Sequence, residues 1–348
     1  MREVRAAVTA GVVLISAAVG AAAVPSSPPT ALVERRMGMM GTTLVLRVEA
    51  GDRAAALAAS ERAARALEAA EARLSTWRDD TELARLNRAP VGRTVPLSAS
   101  LAEELAAARR CWEETAGAFD PAIGELVAAW GLRIGGKIPG KEEREEARVA
   151  SGLDGLRIST SAAVRLREGA VIEEGGFGKG AGLARAIDAL RALPEIRSAV
   201  LDLGGQLAFV GAGRREVLIA DPRRRDRPVL ALAVEAGSVS TSSDSERPGH
   251  LLDPRTGEPA ADFGSLTVWT ADPLRADCLS TGLFVLGPER ALEWAAARPE
   301  VEVLALVSEG ERLRALATPG LAGRVRPLVE EIEITTGGGV HAEAVGGR

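Results

Sequence analysis

Asp277 and Thr281 stand four residues apart in the segment Leu274-Arg-Ala-Asp-Cys-Leu-Ser-Thr-Gly-Leu-Phe-Val-Leu-Gly287, an apolar run with the character of a buried helix. Residues at i and i+4 share one helical face. The pair therefore projects a carboxylate and a hydroxyl together, two hard oxygen donors of the kind that magnesium, calcium or manganese prefers. The same spacing also suits a helix capped by Asp277 in which the Thr281 hydroxyl bonds back to a carbonyl. A second candidate is Gly175-Gly-Phe-Gly-Lys-Gly180, read as the junction of a strand and a helix. There, bare backbone N–H groups and Lys179 would suit a phosphate. Its spacing is neither that of a Walker loop nor that of a dinucleotide fingerprint, and a tight turn with a solvated lysine accounts for it equally well. The third candidate is His250-Leu-Leu-Asp-Pro-Arg-Thr-Gly257, which holds one of the two histidines of the chain. His250 is suited to accept a proton near neutral pH and Arg255 to meet an anion. Arg255 bonding Asp253 inside a glycine-closed turn is the alternative.

These residues need a scaffold, and 348 residues with 46% hydrophobic content can bury one large core or two smaller ones. The balance of 43 basic and 48 acidic residues, a net charge of −5, leaves no basic footprint for nucleic acid. With no tyrosine and 3% aromatics, stacking platforms for bases are also lacking. An anionic ligand would need local help from a metal or from helix N-termini. Cys111 and Cys278 fall short of a disulfide framework and read as small buried hydrophobes. With two histidines in the chain, a zinc site built on Cys and His is disfavoured.

Residues 1–24 read as a secretory signal: a basic start, an uncharged run from Ala6 to Val24, and small residues at a cleavage site near Ala21 to Ala23. An uncleaved anchor fits the length of the run as well. Residues 25–32 follow as a Pro- and Ser-rich linker, 33–330 as the folded domain and 331–348 as a disordered tail. Within the domain, alternation marks a strand at Thr43 to Glu49. A helix follows over Arg53 to Leu74 with a stripe of Leu57, Ala64, Leu67 and Leu74. Another spans Leu101 to Thr115, opened by a capping box Ser100-Leu-Ala-Glu103 and closed by Gly117. Lys141 to Arg148 reads as a solvated helix face or loop. Further strands fall at Val164–Arg167, Ala170–Glu174, Ala199–Leu203, Glu216–Ala220, Val229–Val234, Ser265–Thr270 and Val303–Val307. Helices grouped early and strands late point to an α+β fold. Val171-Ile-Glu-Glu-Gly-Gly176 and Val200-Leu-Asp-Leu-Gly-Gly205 share a pattern that hints at a duplication.

Several stretches together resemble the FAD:protein FMN transferase family, also called the ApbE family. They are Met40-Gly-Thr42, Leu74-Ser-Thr-Trp-Arg-Asp-Asp-Thr-Glu-Leu-Ala-Arg-Leu-Asn87, Phe119-Asp-Pro-Ala-Ile-Gly124 with Trp130-Gly131, Gly175 to Gly180, Asp202-Leu-Gly-Gly205, Thr241-Ser242, His250 to Gly257, and Ala276-Asp-Cys-Leu-Ser-Thr281. They run in the order of the family from about residue 37 to residue 310. The resemblance implies a two-lobed α+β fold with a flavin cleft between the lobes. It also implies a Mg²⁺-dependent enzyme that cleaves FAD, attaches FMN to a Ser or Thr hydroxyl of an acceptor protein and releases AMP. A metal-dependent FAD pyrophosphatase and a non-catalytic exported flavin-binding protein are the alternatives. Asp277 and Thr281 match the side-chain metal ligands of the family, and a carbonyl of the Gly175-Gly176 turn, taken at Gly176, matches its third contact. Met40, Trp77, Asp120, Glu173, Lys179, Gly204, Thr241, His250 and Arg255 fall at positions implied to touch the flavin nucleotide, with His250 the candidate catalytic base. The chain departs from the family pattern with Glu173 in place of Asp, Trp77 in place of Tyr, and Ser243 to Arg247 without the usual glycine and tyrosine. The expected partner is an exported or membrane-bound acceptor, and the expected location is extracytoplasmic. Fractionation checks this: the mature chain should be found outside the cytoplasm without residues 1–24, and a cytosolic chain that retains them would refute it.

Overall fold

The computed structural model describes residues 30–245, 248–310 and 312–337, so the expected signal, linker residues 25–29, the tail beyond residue 337 and His341 lie outside the described residues. The described chain opens with the hairpin β1 (Ala31–Met39) and β2 (Thr42–Ala50), then α1 (Arg53–Leu74), α2 (Glu82–Arg88), β3 (Thr94–Pro96), α3 (Ala99–Glu114), α4 (Gly124–Ala129), α5 (Lys141–Ala150), β4 (Leu156–Ile158) and β5 (Ala162–Arg165). A 3-10 turn at Glu174–Gly176 leads into α6 (Gly178–Arg191). There follow β6 (Ile196–Leu203), β7 (Gln206–Val210), β8 (Arg215–Asp221), β9 (Arg224–Val234), β10 (Gly237–Ser243), β11 (Gly264–Thr270), α7 (Pro273–Leu286), α8 (Pro288–Ala296), β12 (Val301–Glu309), β13 (Arg312–Ala317), β14 (Val325–Pro327) and β15 (Ile332–Thr336).

Nine strands form one sheet in the order β1-β2-β6-β7-β10-β11-β12-β13-β15, antiparallel throughout except for the pair β13–β15. Helices α1 and α6 bury their apolar faces on β2, β6 and β7 through Leu44, Leu46, Leu67, Leu183, Ile187 and Leu201. Helices α3, α7 and α8 cover β11 and β12 beside them. The small sheet β14-β9-β8 packs on the opposite face of β7, β10, β12 and β13, where Phe209, Ile219, Leu232, Val239 and Leu306 meet. The result is a layered α+β fold, the class expected from the sequence.

Several local expectations are corrected. The cap of α3 is Ser98, not Ser100, and the reciprocal acid is Glu82 of α2, which accepts from the Ser98 N–H at 2.6 Å. Glu103 is thereby left to pair with Arg185. Leu57 is exposed, while Ala64, Leu67 and Leu74 are buried as expected and the stripe reaches the start of α1 through Ala56, Ala59 and Ala63, small residues that let this helix lie close to the sheet. Residues 31 and 32, assigned to the linker, begin β1, and the assigned tail contributes β15 on the edge beyond β13. The stretch Ala170–Glu174 is not a strand, so the echo of its glycine pair with Gly204-Gly205 joins a 3-10 turn to a hairpin turn and is no duplication.

Close approach of helices decides where the functional segments sit. A Cβ built on Gly180 would lie 2.4 Å from the Pro273 carbonyl oxygen and 2.7 Å from the Leu274 Cα. One on Gly182 would lie 2.9 Å from Leu67 Cδ2 and from Met40 Sδ. Helix α6 is thus held between α1 and α7 by glycines. Arg73 of α1 and Arg185 of α6 both pair with the buried Glu104 of α3, at 2.9 Å and 3.3 Å, which ties the three helices together. Gly180→Ala meets backbone rather than a flexible side chain, so it should cost about 2 kcal/mol, of the order seen for overpacking, and push α6 from α7. Urea unfolding checks the first effect; a wild-type midpoint would show that the contact relaxes freely.

Candidate functional site

Helix α7 is buried on nearly all sides, as its unbroken apolar character requires. It is capped by Asp272, whose Oδ1 accepts from the Leu274 N–H at 2.8 Å, with Pro273 in the first turn. Asp277 is therefore not the cap of its own helix. Its Oδ2 accepts from the Gly180 N–H at 2.8 Å, and the Lys179 backbone N–H also reaches it. Helix α6 begins at Phe177 without a side-chain cap, so Asp277 serves as a tertiary cap for N–H groups that α6 cannot satisfy itself. Burial nevertheless dominates and raises the Asp277 carboxyl above the usual carboxylate range, with Lys179 and the two N–H groups opposing it. Thr281 does bond back, donating to the Asp277 carbonyl at 3.3 Å.

The glycine turn closes on this pair. A Cβ on Gly176 would lie 3.5 Å from Thr281 Oγ1 and 3.1 Å from Phe119 Cε2, so the Gly176 backbone stands directly over Thr281. Gly178 and Gly182 pack against the Met40 side chain, and Met40 donates its N–H to Glu71 at 3.1 Å. Met40 and Gly41 form the tip of the β1–β2 hairpin with φ of 49° and 71°. Gly204, at φ 60° in the β6–β7 turn, abuts Thr42, leaving no room for a Cβ. Asp202, which accepts from the Gly205 N–H at 2.9 Å, is raised by burial and feels the charges of Arg36 and Lys179. Lys179 thus lies within the field of both Asp202 and Asp277.

At the rim, Thr76, Arg133, Glu173 and Glu174 form one hydrogen-bonded knot: Arg133 donates to the Thr76 carbonyl at 2.9 Å and pairs with Glu173, while Glu174 accepts from the Thr76 N–H at 3.1 Å. Burial raises the Glu173 carboxyl, with Arg133 opposing. The Arg133 guanidinium lies 4.7 Å from the ring centroid of Trp77, which is 67% exposed and presents an open aromatic face. Asp120 has a different task. Its two oxygens accept from the Ala122 and Leu153 N–H groups at 2.8 and 3.0 Å, so it braces the loop behind Phe119 and does not face Asp277 with its carboxylate free.

His250 Nδ1 lies 3.0 Å from Oδ1 of the buried Asp244, which also accepts from the Gly249 N–H at 2.6 Å. Asp244 was hidden in a stretch with no motif, and an acid six residues before a histidine carries no helical or strand signal. Arg255 makes a bidentate pair with Asp253 at 2.8 Å, the alternative reading of its turn, so its charge is committed locally. The Gly257 carbonyl accepts from Trp130 Nε1 at 2.9 Å, which fixes this turn to α4. Thr241 bonds Thr267 across β10 and β11 at 2.9 Å, on the sheet face turned away from α7, and does not join the Asp277 group. Its neighbours do: Ser240 and Ser242 lie 3.1 and 3.0 Å from Ser280 of α7. Gln206, also unforeseen, donates to the Pro273 carbonyl at 2.8 Å and anchors the start of α7.

The structure therefore gathers Gly176, Lys179, Asp277 and Thr281, places Met40 against Gly178 and Gly182 with Gly204 on the neighbouring Thr42, and holds His250 on Asp244 in the loop after β10. No group of three or more His, Cys, Asp or Glu side chains that could hold a metal ion occurs among the described residues. A cation here would be held by one carboxylate with hydroxyl and carbonyl oxygens, a donor set that fits a hard ion sharing its shell with a phosphate ligand.

The chain is similar to known proteins of one family. The ApbE family profile matches residues 40–305. The FAD:protein FMN transferase of Treponema pallidum is 31% identical over 321 residues, covering 83% of this chain and 88% of the relative. That of Klebsiella pneumoniae is 29% identical over 339 residues, covering 90% and 95%. The apo flavinyl transferase ApbE of Pseudomonas stutzeri superposes with a TM-score of 0.75 at 26% identity, over 85% of this chain and 97% of that structure. The flavin transferase ApbE of Vibrio cholerae gives 0.74 at 25% identity, over 85% and 100%.

Burial makes the ionised form of Asp277 costly to the fold. Its raised pKa means that the penalty is absent at acid pH, where folded and unfolded chains are both protonated, and complete once pH exceeds the folded-state pKa. Asp277→Asn keeps an acceptor for the Gly180 N–H and removes the charge. Its Tm in metal-free buffer should exceed that of the wild type at pH 8 and converge with it near pH 4, whereas Asp277→Ala, which uncaps α6, should melt lower. A Tm for Asp277→Asn below wild type at pH 8 would contradict the balance of burial over Lys179.

Proposed function

This chain belongs to the ApbE family, and from that membership together with the site around Asp277 we propose that it is a FAD:protein FMN transferase acting on a Ser or Thr hydroxyl of an exported acceptor protein. The observation that carries the reading is the buried Asp277, held at the start of α6 with Thr281 and the Gly176 backbone beside it. Asp277, Thr281 and the Gly176 carbonyl would hold Mg²⁺. Bound there, Mg²⁺ would neutralise charge on the diphosphate and stabilise the departing phosphate.

The residues of the chain do the rest. The Lys179 ammonium, in the field of Asp277 and Asp202, orients the diphosphate of FAD. Trp77, with Arg133 on its ring, offers a surface for the flavin or adenine ring at the rim. Asp244 holds the Nδ1 side of His250 and so sets the ring for proton acceptance at Nε2. The acceptor oxygen forms a bond to the phosphorus of the FMN moiety, the bond from that phosphorus to the bridging oxygen breaks, and its electron pair leaves with AMP. The hydroxyl proton passes to His250. Arg255 keeps the turn rigid through Asp253. In this reading the reaction runs outside the cytoplasm, which the signal-like pattern of residues 1–24 supports.

Incubation of the full chain with FAD, Mg²⁺ and exported proteins of the same cell should yield covalent in-gel flavin fluorescence with one AMP per flavin transferred. Chelation should abolish it, and His250→Ala should lower turnover by a factor on the order of 10² to 10⁴ with FAD affinity little changed. Sustained release of free FMN without any labelled protein would overturn the transferase reading. Wild-type transfer by His250→Ala would overturn the base role.

A further inference from the structure

The two cysteines of the chain, 167 positions apart in sequence, lie in one apolar cluster on helices that pack together. Helices α3 and α7 run side by side in matched register. Ala107, Cys111 and Leu274 line one cavity, Glu114 accepts from Arg275 at 2.9 Å, and Cys111 and Cys278 stand four residues on from Ala107 and Leu274. Four residues further, Thr115 Cγ2 lies 3.1 Å from where a Cβ of Gly282 would stand. With Cys111 and Glu114 facing the first turn of α7 and Thr115 facing Gly282, the two helices run parallel, and Cys111 and Cys278 each stand one turn before the Thr115–Gly282 approach. Ala107 and Gly282 are small, so the backbones come close, and close approach is what a disulfide needs, since its Cα atoms must lie within about 7 Å.

We propose that Cys111 and Cys278 are a modification site: in an oxidising compartment they form an intramolecular disulfide that staples α7 to α3. Both cysteines belong to the same apolar cluster, Cys278 is fully enclosed, and Cys111 borders the cavity of about 290 Å³ between the helices. Cys111 is therefore where an outside reagent enters. The Cys111 thiolate attacks an external disulfide, forming a mixed disulfide and releasing one external thiol. Cys278 then attacks Cys111 Sγ, forming the Cys111–Cys278 bond and releasing the second external thiol. Two protein thiols are oxidised, one external disulfide is reduced to two thiols, and the two protein thiol protons end on those thiols. The bond would sit one residue from Asp277 and three from Thr281, so it fixes the part of α7 that carries them. It also closes a very long loop, the case in which restriction of the unfolded chain stabilises most. This inference rests on the helix register and stands whether or not the transferase reading holds.

The test uses the full chain in oxidised glutathione, followed by denaturation and maleimide labelling without reductant. The expected result is no maleimide uptake, an intact mass lower than that of the reduced chain by two hydrogens, and a peptide map that joins the segments of Cys111 and Cys278. The oxidised chain should melt about 5 °C higher, and dithiothreitol should reverse the shift. Cys111→Ala should take up one maleimide and show no shift; the mass and the map come from the wild-type chain and hold if that variant folds poorly. Uptake of two maleimides, a chain that carries glutathione without the cross-link, or a linkage between two chains would each overturn the proposal.

Discussion

The hydrogen bond from the start of α6 to Asp277 of α7 is the contact on which the rest of the site depends. A helix beginning in a glycine run has no side chain of its own to satisfy its first N–H groups, and here a carboxylate from another helix does so. The two elements can meet only because Gly180 lacks a Cβ, since the Pro273 carbonyl and Leu274 backbone occupy that space. One constraint thus sets both the position of Asp277 and the exposure of the glycine turn to Thr281. It also explains why a carboxyl raised by burial persists: its cost is offset in part by the dipole and N–H groups of α6 and by Lys179.

Around this contact, several acids are held away from water. Asp202, Glu173 and Asp277 are each raised chiefly by burial, and each has a nearby cation, Lys179 or Arg133, that opposes the shift. Such a concentration of desolvated carboxylates would be a poor way to stabilise a fold and suits a place that receives a cation or charged ligand. Asp120, also raised by burial, differs in kind, because both of its oxygens are taken by backbone donors.

The sheet contributes through a strand with little apolar character. β10 reads Gly-Ser-Val-Ser-Thr-Ser-Ser, yet its first four residues are buried. Alternation sends Ser240 and Ser242 to Ser280 of α7 and Thr241 to Thr267 on the other face. These hydroxyl contacts fix α7 laterally, as Gln206 fixes its start and the Phe263–Phe284 ring stack, with centroids 4.6 Å apart, secures its end. The loop after β10 carries Asp244 and His250, so His250 inherits its place from the same strand.

The sequence by itself determined the α+β class, the long helices, most of the apolar strands and the pairing of Asp277 with Thr281, because these rest on periodicity that acts over a few residues. It also marked the glycine run and the His250 turn, since glycine, proline and aspartate shape the backbone locally. Only the tertiary structure decided what those groups face. That Asp277 caps α6, that Asp244 holds His250, that Thr241 turns away while Ser240 and Ser242 turn inward, and that two cysteines far apart in sequence join one apolar cluster on neighbouring helices all depend on the order in which strands join the sheet and on how near glycine and alanine let the helices come. Those are long-range packing outcomes, and no local spacing encodes them: β10 is buried because of its neighbours rather than its composition, and Asp277 is costly because of what surrounds it.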